Sequence, residues 1–498
     1  MVYINNLDKH EDSSVTLKGW VYNNRSSKSL QFIELRDGTG LCQCVVSRDR
    51  VPDQVWNSAA SLRQESSLEI TGEVVRDDRS IGGYELHATG LKIIQIAEDY
   101  PITPKEHGID FLMENRHLWL RSRRQWAAMR IRNTITFSIH NFFQNQDFLQ
   151  LDAPVFTGNA AEGTTSLFET DFFEEKAYLT QSGQLYAEAM AMAHSKVYTF
   201  GPTFRAEKSK TRRHLAEFWM IEPEMAFYDL EMTMDLAERL IKSVITDVLE
   251  KCGDELGILE RNTRLLNQAV INDFHRISYT DAVDRLKSRE TRDFLDNMME
   301  DRKKEQETLK SELEDLKKER GSAKKWRKNQ IDQRTGDIHA ELDQTEEDLR
   351  NIPGWKKSAA GFEWGSDFGG SDESILTMQY DAPLIIHRYP SEVKAFYMKR
   401  DPDNQKLSLA MDVLAPEGYG EIIGGSQRED QPDVLQKRLS EHQLSEELFS
   451  WYSDLRRYGT VPHSGFGLGL ERTVAWICGL SHVRETIPFP RMAGRLTP

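Results

Sequence analysis

Between Val15 and Ile96 the chain alternates apolar and polar residues in five short runs, and no other stretch restricts the fold so tightly. Val15–Val21, Leu30–Leu35 and Leu41–Val46 send side chains to two faces with a period of two, and Leu68–Val75 and Tyr84–Ile93 complete the count. Asp37-Gly38-Thr39-Gly40 is a turn signal between the second and third runs. Five short strands in about eighty residues suit a small Greek-key barrel of the OB type, which commonly binds oligonucleotides. Cys42 and Cys44 fall on one face of the third strand, too close together for a zinc pair. With Cys252 and Cys478 they make four cysteines, too few for a disulfide framework; buried thiols in a reducing cytoplasm are expected.

A chain of 498 residues exceeds one core, so two or three domains are expected. The barrel is assigned to residues 1–100 and a linker to 101–120, where Pro101 and Pro104 discourage helix. A main domain over 121–498 opens on a helical pattern from Arg121 to Gln146, with Ile131, Ile135 and Ile139 one turn apart. Within it, residues 285–355 differ: Gly and Pro nearly vanish, charge dominates, and Leu309, Leu313 and Leu316 repeat at heptad spacing. Gly321-Ser322 breaks that run, Ile331, Ile338, Leu342 and Leu349 resume it, and Asn351–Gly354 closes it, which predicts an antiparallel helical hairpin. No run of eighteen apolar residues predicts a membrane span, and Met1–Lys18 lacks the features of a signal peptide. The net charge of −16 argues only weakly against a nucleic-acid partner, because the local field along the contact decides.

Two arginine-bearing segments carry the chemistry. Arg205 lies in Phe204-Arg205-Ala206-Glu207, followed by His214-Leu215-Ala216-Glu217-Phe218, and Arg472 follows the glycine-rich run Gly465-Phe466-Gly467-Leu468-Gly469. Guanidiniums grip phosphate bidentately, and glycine lets backbone approach closely, so the pair suits a nucleoside triphosphate. Neither segment is a Walker loop, since no Lys-Ser/Thr follows the glycines.

These segments resemble motifs 2 and 3 of the class II aminoacyl-tRNA synthetases, and Gly19-Trp20-Val21, Arg25, Phe32, Leu35-Arg36-Asp37 and Gln43 resemble the anticodon-binding barrel of class IIb. Together with Gly420–Glu429 and Tyr458–Arg491, they extend the resemblance over nearly everything except the hairpin. It implies an α/β multidomain fold, with a mainly antiparallel catalytic sheet flanked by helices behind the barrel. It implies that Arg205 holds the α-phosphate of ATP and Arg472 the γ-phosphate, with His214 assisting, Glu207 facing the adenine amino group and Phe218 stacking beneath the ring. Asp412 and Glu421 match the carboxylates for Mg²⁺, although two more residues separate them than is usual in the family. A symmetric homodimer is implied by the helix before Pro154.

Within class IIb the residues resemble the asparagine-specific branch. Aspartate-specific members carry Gln-Ser-Pro-Gln and, three residues on, a lysine for the substrate carboxylate; here the segment is Gln181-Ser182-Gly183-Gln184, with Ala187 in the lysine's place. Glu222 stands where those members have Asp, and would accept from a side-chain amide while Arg428 donates to its oxygen. Ser182 belongs to the same pocket, and Gln184 and Glu162 would hold the α-amino group. The implied reaction is ATP-dependent activation of asparagine and its transfer to tRNA. An asparagine synthetase-like paralogue acting on free aspartate and a non-catalytic tRNA-binding or regulatory paralogue are the alternatives.

In the barrel, Phe32 would stack on an anticodon base, with Arg25 and Gln43 supplying phosphate and base-edge contacts. Alternation is read as placing Ile33 opposite Phe32 and Leu35 on its side, which leaves the exposure of Phe32 open. The hairpin tip, Lys317–Lys328, holds seven basic residues against one Glu. A self-packed, solvated helix pair is the expectation there, with an arm touching tRNA backbone as the sharper alternative.

Overall fold

The computed structural model describes residues 1–103, 105, 107–158, 167–208 and 211–497. They divide into two compact units, Met1–Met113 and Glu114–Pro498.

In the first unit, strands Ser14–Ser26, Leu30–Arg36, Leu41–Ser47, Ser67–Arg76 and Tyr84–Gln95 close into a barrel, with helix Asp53–Ser61 between the third and fourth. Leu17, Val21, Ile33, Leu35, Cys44, Val46, Ile70, Val74 and Leu86 fill it. The turn after the second strand forms because Asp37 Oδ1 accepts from the backbone N–H groups of Thr39 (2.8 Å) and Gly40 (3.2 Å). Leu35 shares the inner face with Ile33, not the side of Phe32. Residues three apart on a strand point to opposite faces, so the side assigned to Leu35 from sequence is corrected, and Phe32 faces outward. Both barrel cysteines are buried and free.

The second unit is built on an eight-stranded sheet. Its strand order is His275–Ser278, Leu384–His387, Ala410–Ala415, Gly420–Gln427, His463–Gly469, Glu217–Ala226, Lys196–Phe204 and Leu149–Gln150. Pairing is antiparallel except at the two edges. Helices Arg123–Gln144 and Leu230–Lys251 cover its back. Their apolar positions recur at helical spacing (Ile131, Ile135 and Ile139; Ala237, Leu240, Ile241, Val244 and Val248) and pack on Ile221, Met411, Val413, Ile423 and Leu468. Segment 101–120, read from sequence as a linker, contains the short helices Ile109–Glu114 and Arg116–Trp119.

The charged insertion forms two long helices, Arg289–Ser322 and Lys325–Gly361, of 34 and 37 residues. At ~1.5 Å per residue each spans roughly 50 Å. Their distal parts meet through Leu309, Leu313, Ile338 and Leu342. The chain reverses at Ala323-Lys324, both extended, rather than at Gly321-Ser322. Asn351–Gly354 does not close the hairpin either: the second helix continues through Pro353 to Gly361. One backbone bond is lost there, and packing outweighs it, because Ile352 and Ala359 are buried against Leu295, Tyr279 and Ile375. The root of the hairpin is therefore part of the catalytic core. At the tip, Arg320 pairs with Asp332 (2.5 Å), Arg327 with Glu319 (2.7 Å) and Lys318 with Asp315 (3.2 Å), so much of the basic charge is met within the hairpin.

Ile338→Ala removes a fully buried contact from the distal hairpin, a change that costs about 2–5 kcal/mol where it is felt. We expect amide exchange across 309–342 to accelerate while exchange in the sheet stays unchanged, as read by hydrogen–deuterium exchange mass spectrometry.

Candidate active site

Front-face residues of the sheet follow from the two-residue period. On strand Glu217–Ala226, Ile221 packs into the back while Phe218, Met220, Glu222 and Glu224 alternate onto the front. The neighbouring strand offers Gly465, Gly467 and Gly469 to the same face. A Cβ at Gly465 would clash with the Pro223 backbone carbonyl and the Glu224 carboxyl, so only glycine leaves room there.

A pocket opens over this face. Arg205, His214, Phe218, Glu421 and Arg472 all line it. The Arg205 guanidinium lies 5.5 Å above the centre of the Phe218 ring. Arg472 Nη1 donates to Glu421 Oε2 (3.0 Å) and to the Glu421 carbonyl (3.1 Å). Its helix, Leu470–Cys478, is held by Glu471, which accepts from Arg132 (2.8 Å) and from the Trp219 N–H (2.9 Å). Burial lowers the His214 pKa, aided by Arg472, Arg205 and Arg213, so this ring is neutral at pH 7. Glu207 is the exception among the expected nucleotide residues: it is exposed and does not line the pocket.

Asp412 and Glu421 come together despite their unusual spacing. Val413 pairs with Ile423 and Leu414 with Glu421, so Ile422 is an extra residue in its strand. That bulge turns Glu421 onto the face of Asp412 and Gly424. A Cβ on Gly424 would lie 2.7 Å from Glu421 Oε1 and 3.4 Å from Asp412 Oδ1, so the two carboxylates converge over a bare backbone. Lys394 Nζ donates to Asp412 Oδ2 (2.8 Å). Burial raises the Asp412 pKa, Lys394 opposes it, and Glu421 adds to it. Burial would also raise Glu421, but Arg472, Lys394 and Arg205 hold it below the ordinary value. Two oxygen-donor carboxylates beside a phosphate-sized pocket fit a Mg²⁺ ion bound with its nucleotide. Among the described residues no group of three or more His, Cys, Asp or Glu could hold a metal alone.

Along the same face lies a second, more buried cluster. Glu222 accepts from the Ser182 hydroxyl, from the Gly183 N–H (2.7 Å) and from Thr199 Oγ1 (3.3 Å). Arg428, 2% exposed, donates through Nε and Nη2 to Glu224 and through Nη1 to Ser426 Oγ (2.8 Å), and lies over the Tyr397 ring. Burial pushes the Glu224 carboxyl up, with Arg428 opposing and Glu188 adding to the rise. Gln184 Nε2 donates to Glu188 Oε1 (3.1 Å). Ala187 is fully buried between them in the chain. Glu162 lies outside the described residues.

On the barrel, Arg25 pairs across strands with Phe32, and Gln43 with Glu34, which places Arg25, Phe32 and Gln43 on the outer face of three adjacent strands. Arg25 Nη2 donates to Glu34 (3.1 Å) and Gln43 (3.3 Å).

Several residues around these sites have no role assigned from the sequence. Arg213 donates to Glu373 Oε2 (2.8 Å), Ser374 Oγ (3.1 Å) and the Gly418 carbonyl, bracing the loop that carries His214. Gly420 has a φ of +73° and packs directly against this ion pair, so the turn needs glycine on both counts. In this turn between Asp412 and Glu421, Glu417 pairs with Arg261 (2.6 Å). Arg212 reaches Glu347 of the hairpin (2.5 Å), and Arg491 meets Glu217 through backbone pairing beside the same loop.

His482 gives a pH prediction. Its Nδ1 accepts from the Arg484 N–H (3.0 Å), and burial, with the Arg484 and Arg212 cations, pushes its pKa down to about 4. The unfolded ring, titrating near 6.5, therefore binds its proton first, and folding stability falls as pH drops from that value toward 4. His482→Asn keeps an acceptor without the titration, so its loss of stability over this window is expected to be shallower in urea unfolding at successive pH values.

Comparison with known proteins bears on both units. A family model described as tRNA synthetases class II (D, K and N) matches residues 108–493, and one described as an OB-fold nucleic acid binding domain matches 15–94. An asparagine–tRNA ligase of Sorangium cellulosum is 50% identical over 499 residues, spanning 100% of this chain and 99% of its own. That of Symbiobacterium thermophilum is 48% identical over 498 residues, with 100% and 99% spanned. The crystal structure of asparaginyl-tRNA synthetase from Pyrococcus horikoshii, complexed with asparaginyl-adenylate, matches with a TM-score of 0.83 at 35% identity, covering 100% of this chain and 99% of that one. With a family match across the catalytic unit and relatives of this identity over the full length, the chain belongs to the class II aminoacyl-tRNA synthetases, in their aspartate, lysine and asparagine group.

Proposed function

We infer that the protein is an asparagine–tRNA ligase. It activates asparagine with ATP to asparaginyl-adenylate and pyrophosphate, then passes the acyl group to the terminal adenosine of asparagine tRNA. The observation that carries the amino-acid assignment is the pocket beside the nucleotide site: Ala187 is fully buried where an aspartate-binding lysine would stand, and Glu222 presents a carboxylate to it. The full-length likeness to asparagine–tRNA ligases supports the same reading.

The chemistry needs no nucleophilic side chain, because the substrate carboxylate attacks the α-phosphorus. Positioning and charge neutralisation supply the rate. Arg205 grips the α-phosphate and Arg472 the γ-phosphate, which holds the triphosphate bent with the leaving pyrophosphate in line. Phe218 stacks under the adenine, and Glu207 moves in from its exposed position to meet the adenine amino group. His214, neutral, donates a hydrogen bond at the triphosphate. Asp412 and Glu421 would hold Mg²⁺, which neutralises charge on the phosphate oxygens when bound. Glu222 accepts from the substrate amide, and Arg428 donates to its oxygen. Ser182 keeps Glu222 aimed, while Gln184 and Glu162 hold the α-amino group.

On the barrel, Phe32, Arg25 and Gln43 receive the anticodon. We place the reaction in the cytoplasm, in a homodimer formed through helix Arg123–Gln144, on whose outer side Phe137 is exposed. Among the described residues no helix is long and apolar enough to cross a membrane.

ATP–pyrophosphate exchange is expected with asparagine and not with aspartate, followed by charging of tRNA with asparagine. Exchange with aspartate alone would move the chain to the paralogue acting on free aspartate, and exchange with neither to a non-catalytic role. Phe32→Ala is expected to weaken tRNA binding by about 1–3 kcal/mol, the usual worth of a base–aromatic stack. Charging kinetics should register that loss while pyrophosphate exchange stays at the parental rate.

A further inference from the structure

The amino-acid pocket lacks a lysine, yet Arg428 belongs to it, and a second buried guanidinium, Arg456, is tied through Glu188 to its Gln184. Either could serve an aspartate side chain as well as a lysine would, because a buried carboxylate needs one paired cation. Arg428 is held bidentately by Glu224. Arg456, 2% exposed on helix Ser450–Arg457, donates through Nε to the Glu429 carbonyl (2.8 Å) and through Nη2 to Glu188 (2.7 Å). Glu188 itself is fully buried. It also accepts from the Tyr452 hydroxyl (2.7 Å) and from Gln184 (3.1 Å), meets His463 Nε2 at 3.1 Å, and lies 3.9 Å from Arg428 Nε. Burial opposes its charge, but Arg456, His463 and Arg428 hold its carboxyl well below the usual range.

We propose that Glu188 is a positioning residue for specificity: it neutralises Arg456 and shares Arg428, and so denies an aspartate side chain the buried cation it would need. Glu222 repels the wrong substrate directly, whereas Glu188 acts through the arginines, and neither suffices alone.

This inference rests on the asparagine reading above. It is tested by ATP–pyrophosphate exchange with asparagine and aspartate on the full-length parent, Glu188→Gln and the double variant Glu188→Gln/Arg456→Gln. In Glu188→Gln the asparagine-over-aspartate ratio of kcat/KM is expected to fall at least about tenfold, through a lower KM for aspartate, the size of effect a freed charge in a specificity pocket brings. The double variant removes the cation that Glu188 silences, and its ratio is expected to return to within about threefold of the parent. Equal losses for both amino acids in Glu188→Gln, with the ratio unchanged, would reduce Glu188 to a structural group and overturn the proposal. If the single variant leaves Arg456 unpaired and does not fold, the double variant decides, because a collapsed ratio there contradicts the mechanism. A parent that does not prefer asparagine would instead remove the reading beneath it, and that result is seen before any variant is compared.

Discussion

The catalytic unit depends on a single division: its central strands bury one face and keep the other bare and charged. Ile221, Met411, Val413, Ile423 and Leu468 anchor the sheet to two long helices, a contact that needs no specific chemistry beyond apolar area. Because alternate residues then face forward, Phe218, Met220, Glu222 and Glu224 line up along one strand, from the Arg205–Arg472 pocket to the buried cluster around Arg428. Glycines at 465 and 467 keep the neighbouring strand from filling that space. The one break in the period, the bulge at Ile422, carries Glu421 to the face where Asp412 already stands.

Packing charge behind a substrate pocket is costly unless every ion is matched. The cluster of Glu188, Glu224, Arg428 and Arg456 meets that condition with bidentate and charge-assisted bonds contributed by three helices and strands. Such a network has few alternative arrangements, which keeps the pocket rigid and makes its electrostatic sense a property of the whole group rather than of one side chain. The nucleotide pocket is built differently. Its arginines are less buried, with Arg472 bonded to Glu421 and Arg205 set over the Phe218 ring.

The hairpin is less peripheral than its composition implies. Its distal half is a solvated pair of helices with a thin apolar seam, but its root shares a core with Tyr279, Ile375 and Leu414 on the front side of the sheet. Through Glu347 it also touches Arg212, next to the arginine that braces the His214 loop. Sequence periodicity found the seam but misjudged the ends, since Gly321-Ser322 and Pro353 are weak breakers beside the packing that surrounds them.

Much was legible without coordinates. Alternation in the first hundred residues fixes which side chains fill the barrel, and short-range motifs pick out Arg205, Phe218, Glu421 and Arg472, which line one pocket. Tertiary structure alone decided what those groups lean on. Arg213 finds Glu373 160 residues away, and Glu188 finds Arg456 268 residues away, with nothing in either local pattern to announce the partner. It also decided that Glu207 stands outside the pocket. The physical reason is that strand and helix periods are local steric properties, readable along the chain, whereas the pairing of buried charges depends on distances across the sheet, which exist only once the chain has folded.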